Sequence, residues 1–319
     1  MIKLGIVMDP ISSISIKKDS SFAMLLEAQH RGYEIHYMEI SSLYLHGNEA
    51  RASTILLSVK QDDNTWYNFN SEQDINLGKL DVILMRKDPP LDNEFIYATL
   101  ILEYAEKAGA FIVNKPQSLR DCNEKLFTSW FVRHTPDTLV SCRDDHIRDF
   151  LQRHGDIILK PLNGMGGMSI FRVKPDDPNL TVIIETITKY GNNFCMAQNY
   201  LPAIKDGDKR VLVVDGNTVP YCLARIPKNG ETRGNLAASG RGEVRPLCHS
   251  DWKIARDVAP VLKKKGLMFV GLDIIGDRLT EINVTSPTCI REIETAFPIS
   301  ITSMLMDAIE KRLDSANTD

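Results

Sequence analysis

Asp273, Glu281 and Asn283 have the clearest capacity for chemistry in this 319-residue chain. They lie between Val270 and Asn283, in two short apolar runs joined by a Gly-Asp turn. Side chains alternate across a strand, so Glu281 and Asn283 project from one face. Asp273 joins them when it pairs opposite Glu281. That needs an odd number of loop residues, most simply Gly276, Asp277 and Arg278. Two carboxylates and an amide oxygen on one face suit a hard cation, and Mg²⁺ usually shares such a site with phosphates. A plain hairpin with polar residues in solvent has the same pattern, so the motif needs company.

The company begins upstream. Ile157-Ile-Leu-Lys160-Pro-Leu-Asn-Gly164-Met-Gly166-Gly167 reads as a strand running into a glycine-rich loop, with a second strand over 169–173. Glycines let backbone N–H groups converge on phosphate oxygens while a lysine supplies a point charge. Lys160 precedes the glycines and no G-x-x-x-x-G-K-[ST] occurs, so this is not a Walker A loop. A tight hairpin turn uses the same glycines. Lys125 offers a second cation one strand-helix-strand unit earlier, although a single lysine is usually just solvated. Met196-Ala-Gln198-Asn199-Tyr200-Leu201-Pro202 is an apolar strand entering a turn, able to offer backbone groups to an adenine edge. A core strand ending reads identically. Asp208 follows, placed to accept from a ribose hydroxyl.

These residues need elements to hold them. A strand over 2–8, a helix starting at Asp19-Ser20-Ser21 and ended by Gly32, and a strand over 33–40 predict a parallel α/β sheet. Further strands fall at 81–86 and 110–114, with a helix over 93–108 between them. No G-x-G-x-x-G follows the first strand, which argues against a dinucleotide. Lys115-Pro116 breaks the pattern, and a helix carrying Lys125, Phe127, Trp130 and Phe131 follows. From 138 to 201 the order is strand, helix, strand, glycine loop, strand, helix, strand, a small α+β unit. After Pro202 come strands at 210–215 and 219–226, a helix at 250–265, the 268–283 hairpin and a helix from 289 to 312. Three regions result: 1–120, 121–201 and 202–319.

Composition agrees with a globular enzyme of more than one core: 43% apolar and 25% charged residues. A net charge of -4 without a basic run gives no reason to expect nucleic acid. No apolar stretch approaches the roughly 20 residues that span a bilayer, and the first residues form a strand pattern, not a signal peptide. The six cysteines are scattered without metal-ligand spacing, as in a reduced, cytoplasmic protein.

Lys125, Lys160, the glycine loop, the 198–201 turn and Asp273/Glu281/Asn283 occur in the order of an ATP-grasp ligase. More specific runs narrow this: Arg86-Lys-Asp-Pro-Pro90, Asn114-Lys-Pro-Gln-Ser-Leu-Arg-Asp121, Arg225-Ile-Pro, Glu231-Thr-Arg-Gly-Asn-Leu-Ala-Ala238 and Asn283-Val-Thr-Ser-Pro-Thr288. They resemble the bacterial glutathione synthetases, over nearly the whole chain. The resemblance implies an ATP-grasp fold: an N-terminal parallel α/β domain, a small central subdomain and a C-terminal antiparallel-sheet domain. It implies ligation of γ-glutamylcysteine to glycine with ATP through an acyl phosphate, in a homotetramer. Lys125, Lys160, Gly164, Gly166 and Gly167 would hold phosphates, and Gln198, Asn199, Tyr200, Leu201 and Asp208 the nucleoside. Asp273, Glu281 and Asn283 would bind two Mg²⁺ ions, with Mn²⁺ able to stand in.

Other positions are chosen on chemistry beside that resemblance. Arg210 and Arg225, on neighbouring strands, suit the acceptor carboxylate and developing oxyanion, because guanidinium forks match such groups; a solvated strand face is the plainer reading. The segment 227–244 holds four glycines, Arg233 and Arg241, and almost no large apolar residue. It is expected to be mobile without substrate and to close as a lid, with Arg233 joining the catalytic groups; a flexible linker looks the same. Ser286, Thr288 and Arg291 at the start of the last helix suit the glycine carboxylate, although Ser286 fits an ordinary helix cap equally well. Arg86 is expected to reach the dipeptide. Two other functions compete: a different carboxylate-amine ligase of this fold (D-alanine–D-alanine or glutamate type), and a non-catalytic ATP-binding module.

Overall fold

The computed structural model describes residues 1–228 and 241–316. The N-terminal region runs β1 (Lys3–Val7), α1 (Ser20–His30), β2 (Glu34–Met38), β3 (Leu43–His46), β4 (Glu49–Val59), β5 (Tyr67–Asn76), β6 (Val82–Met85), α2 (Asn93–Lys107), β7 (Phe111–Val113) and α3 (Pro116–Asp121). Among the described residues its sheet has the order β3-β4-β2-β1-β6-β7, with β5 also paired to β4. The parallel part is β2-β1-β6-β7. β6 is buried at every residue, the pattern of a strand covered on both faces. The antiparallel β3–β5 extension is an addition to the expected parallel sheet. α1 starts as anticipated: Asp19 caps it by accepting from the Phe22 N–H at 2.6 Å.

Lys125 is not carried within a helix. It caps a short 3₁₀ turn over Leu126–Phe131, because the Asn123 side-chain oxygen accepts from the N–H groups of Lys125 and Leu126 and bends the chain there.

The central region contains β8 (Thr138–Ser141), α4 (Asp144–His154), β9 (Ile157–Pro161), β10 (Phe171–Val173), α5 (Leu180–Thr188) and β11 (Cys195–Asn199). It is an antiparallel sheet of order β10-β9-β11-β8. Its core is its own, built on Ile147, Phe150, Leu151, Leu159, Val173 and Ile184.

The last region contains β12 (Asp208–Val214), β13 (Asn217–Ile226), β14 (Arg241–Pro246), α6 (His249–Lys264), β15 (Phe269–Ile275), β16 (Arg278–Asn283), α7 (Ile290–Ala296) and α8 (Ile301–Ala316). The order β14-β13-β12-β15-β16 is antiparallel throughout. The single helix expected over 289–312 is two, parted at Phe297-Pro298, since proline lacks an N–H and disfavours helix in the preceding residue. Residues 241–244, expected within the lid, belong to β14 and pair with β13. Arg233 and residues 229–240 lie outside the described residues.

β12 alternates Val211 and Val213 toward α6 with Leu212 and Val214 toward α1, α7 and α8. Both clusters continue into the N-terminal sheet, so the first and last regions share their cores. Arg31 reinforces this by pairing with Glu27, Asp307 and Glu310. No helix among the described residues is long and apolar enough to cross a membrane.

Candidate active site

Two cavities meet where the three regions come together. One, of about 860 Å³, is lined by Lys125, Lys160, the 164–168 loop, Gln198–Leu201, Asp208, Asp273 and Glu281. The other, of about 820 Å³, is lined by Glu124, Arg210, Arg225, Asn283, Ser286 and Thr288, and again by Asp273 and Glu281. Gly164, Met165 and Gly166 also belong to both. The shared wall is therefore the tip of the glycine loop facing the carboxylate hairpin.

The hairpin has the expected pairing, Asp273 opposite Glu281 and Gly271 opposite Asn283. Its cause differs from the three-residue loop inferred from the sequence. Ile275 pairs with Arg278 across a two-residue turn, and Thr280 is the extra residue of a bulge. The bulge restores the odd count that puts Asp273 and Glu281 on one face. The Thr280 hydroxyl donates to the Asp273 carbonyl at 3.1 Å and holds it.

Asp273 is the electrostatic centre. Arg210 grips it with two bonds, Nε to Oδ1 at 2.5 Å and Nη2 to Oδ2 at 3.1 Å. Arg225 reaches Oδ2 at 2.9 Å and Asp208 Oδ2 at 2.6 Å. Burial works to raise the Asp273 carboxyl, but the two guanidinium groups hold it well below the usual carboxylate range. Asp208 shares one of those guanidiniums. Burial pushes it up to about 6, with Asp273 and Glu281 adding to the rise against Arg225.

The two lysines face Glu281 from the other side. Lys125 Nζ lies 3.5 Å and Lys160 Nζ 3.9 Å from Glu281 Oε1. Each also donates to a backbone carbonyl, Lys125 to Gly164 at 2.6 Å and Lys160 to Thr280 at 3.2 Å. Both are almost fully buried, and burial pushes the Lys160 ammonium down despite Glu281. Two buried ammonium groups sharing one carboxylate leave positive charge uncompensated, which suits a polyanion. The loop between them needs its glycines: Gly166 and Gly167 have φ +62° and +80°.

The 198–201 turn is more committed to internal hydrogen bonds than the sequence suggested. Asn199 N–H donates to Asp137 and Tyr200 N–H to Asp156, while Gln198 donates its side-chain amide to Thr138. Among the described residues only Leu201 of these four has an N–H without a partner. Among the described residues Asn199 Oδ1 and Asp208 Oδ1 are buried acceptors without partners, which suits hydroxyl donors.

Three expected positions land elsewhere or differently. Arg86 lines neither large cavity. It is buried, donating to Ser21 at 3.0 Å and to the Pro287 carbonyl at 2.9 Å. Arg291 turns to Gln61, at 2.7 Å. Ser286 does not cap the last helix: it donates to Asp88 at 2.5 Å, and Ser20 accepts from the first N–H of α7. Ser286 and Thr288 do line the second cavity. Sequence reading missed Glu124, Asp88 and Cys289 on that wall. All six cysteines are free.

The donor set fits a hard divalent cation. Asp273 has about four lone-pair sites and the two arginines occupy three, leaving one on Oδ1 beside Glu281 and Asn283.

Comparison with known proteins agrees along the full length. The model of the prokaryotic glutathione synthetase N-terminal domain matches residues 2–120, and that of the prokaryotic glutathione synthetase ATP-grasp domain matches 124–298. The chain is 76% identical over 314 residues to the glutathione synthetase of Yersinia pestis, covering 98% of each. It is 74% identical over 313 residues to that of Escherichia coli O127:H6, covering 98% of this chain and 99% of the relative. Among solved structures, D-cycloserine synthetase DcsG superposes with a TM-score of 0.68 at 14% identity, covering 98% of this chain and 99% of that one. The ATP-grasp ligase PsnB, complexed with minimal precursor, Mg and ADP, gives 0.61 at 17%, covering 98% of each chain. Two cavities divided by a carboxylate hairpin, four buried cations around them and this match over both domains lead to one statement: the chain belongs to the prokaryotic glutathione synthetases, ATP-dependent ligases of the ATP-grasp fold.

Proposed function

We propose that the two cavities are the nucleotide and acceptor halves of one ligation site. ATP phosphorylates the cysteinyl carboxylate of γ-glutamylcysteine, and the glycine amine then displaces phosphate to give glutathione. One observation carries this reading: Asp273, Glu281 and the glycine-loop tip form a wall common to both cavities. A phosphoryl group crossing that wall passes from one bound substrate to the other without entering solvent.

Phosphoryl transfer asks the protein mainly for positioning and charge neutralisation. Lys125 and Lys160 exchange their carbonyl partners for nucleotide phosphates. Asp273 through Oδ1, Glu281 and Asn283 hold Mg²⁺, two ions in the fullest arrangement, with Mn²⁺ able to substitute. The metal supplies neutralisation of the β- and γ-phosphate charge. Arg210 and Arg225, relieved in part of Asp273, orient the acceptor carboxylate with their forked donors. Ser286 and Thr288 offer hydroxyls to the glycine carboxylate. Arg86 serves at a distance, by fixing the Pro287 carbonyl behind the cavity. To residues 227–240, with Arg233, we assign the shielding of the acyl phosphate, on composition alone. The homotetramer and cytoplasmic setting rest on family resemblance.

A heavy-oxygen label in the cysteinyl carboxylate tests the chemistry. Transfer of one labelled oxygen to the released phosphate is expected. Unlabelled phosphate overturns the acyl-phosphate route.

A further inference from the structure

The ligation needs something that the nucleotide and metal groups do not provide. Glycine arrives as an ammonium ion and must lose a proton before its nitrogen can attack. Four carboxylates line the acceptor cavity: Asp88, Glu124, Asp273 and Glu281. Asp273 is held by two arginines, and Glu281 faces two lysines and belongs to the metal set. Asp88 is exposed and takes the Ser286 hydroxyl on Oδ1.

Glu124 differs from all three. Its Oε1 accepts three hydrogen bonds, from Val284 N–H at 2.9 Å, Thr285 N–H at 3.1 Å and Thr285 Oγ1 at 2.8 Å. Its own carbonyl accepts from the Ile282 N–H at 2.8 Å. The carboxylate is thereby fixed against the strand end that carries Asn283. Its Oε2 has no partner among the described residues, and it is not among the sealed, unpartnered buried atoms. One oxygen is a clamp and the other is offered to the cavity.

We propose that Glu124 is a catalytic residue for the second half-reaction: Oε2 binds the incoming amino group and accepts its proton. This rests on the acyl-phosphate reading above. The glycine ammonium passes one proton to Oε2, and the neutral nitrogen attacks the acyl carbon. The C–N bond forms, the C–O bond to phosphate breaks, and phosphate leaves with the electron pair. The second proton lost by nitrogen goes to the departing phosphate.

Glu124→Gln isolates the role, because the glutamine carbonyl can keep all three clamp bonds while an NH₂ replaces the free oxygen. The test compares glycine with hydroxylamine, a nucleophile already uncharged near neutral pH, in the presence of ATP, Mg²⁺ and γ-glutamylcysteine. With glycine, turnover of the variant is expected to fall about 100-fold or more. Hydroxamate formation is expected to stay within about threefold of the parent, because that step needs no base. ATP affinity serves as the check on folding. Equal losses with both nucleophiles, or a variant that uses glycine normally, would overturn the proposal. Failure of the parent itself to form hydroxamate would instead sink the acyl-phosphate reading on which it stands. Glu124→Ala, which removes the clamp as well, is expected to lose both reactions.

Discussion

Glu281 stands where the two cavities meet, within 4 Å of both buried lysines. Glu281→Gln keeps its volume and removes its charge, so we expect turnover to drop about 100-fold or more with an unchanged unfolding midpoint. Near-parental activity at saturating Mg²⁺ would take Glu281 out of the mechanism. Asp208 makes a pH-dependent prediction. In the folded chain its carboxyl is pushed up to about 6, against an ordinary value of 3.8. Between those values the folded state binds more protons than the unfolded state, so this group's contribution to stability falls as pH rises and stays lost above about 6. Asp208→Asn cannot ionise. Its stability relative to the parent is therefore expected to improve across that window in denaturant titrations, and a difference independent of pH would contradict the assignment. At this scale the sequence revealed residue types better than directions. The lysines and the hairpin carboxylates were legible because spacing places them. Arg86 and Arg291 point elsewhere because Pro287 and Gln61, both distant in sequence, capture their guanidiniums. Glu124 stayed hidden because a glutamate before a lysine on a turn reads as solvated; its partners lie 160 residues on.

The elements that place these residues depend on a few long-range ties. Asn114 donates to the carbonyls of Phe269 and Val284 and accepts from the Phe269 N–H. It thus joins β7 to β15 and to the end of β16. Asn114→Ala should cost about 3 kcal/mol in denaturant unfolding, since it strands several buried backbone groups; a loss below about 1 kcal/mol would show that the tie is dispensable. Strand–helix order was readable wherever apolar periodicity was strong, as in β1, β6, β12 and the whole central region. It failed over β3–β5, where Tyr67–Asn76 is exposed or half-exposed along its length and carries no alternating apolar signal. The Asp273–Glu281 pairing was reached from the wrong turn, because a bulge at Thr280 and an extra loop residue have the same parity.

The whole molecule is organised as a platform and a separate unit. N- and C-terminal regions share two cores, whereas the central region packs around its own. Lys125 and Lys160 bridge that unit to the hairpin through Gly164 and Thr280. Bound ATP should strengthen the bridge: at about one hundred times its Kd it should add about 2.7 kcal/mol to stability. Lys160→Met is expected to lose most of that gain at the same ATP concentration, and an undiminished gain would remove Lys160 from phosphate binding. On the proposed reading both cavities serve one reaction. The most direct measurement is ADP and phosphate release with ATP, Mg²⁺, γ-glutamylcysteine and glycine, omitting each in turn. Full turnover, with glutathione as product, is expected only when all four are present. Sustained turnover with glycine or γ-glutamylcysteine left out, or none with all four, would contradict it.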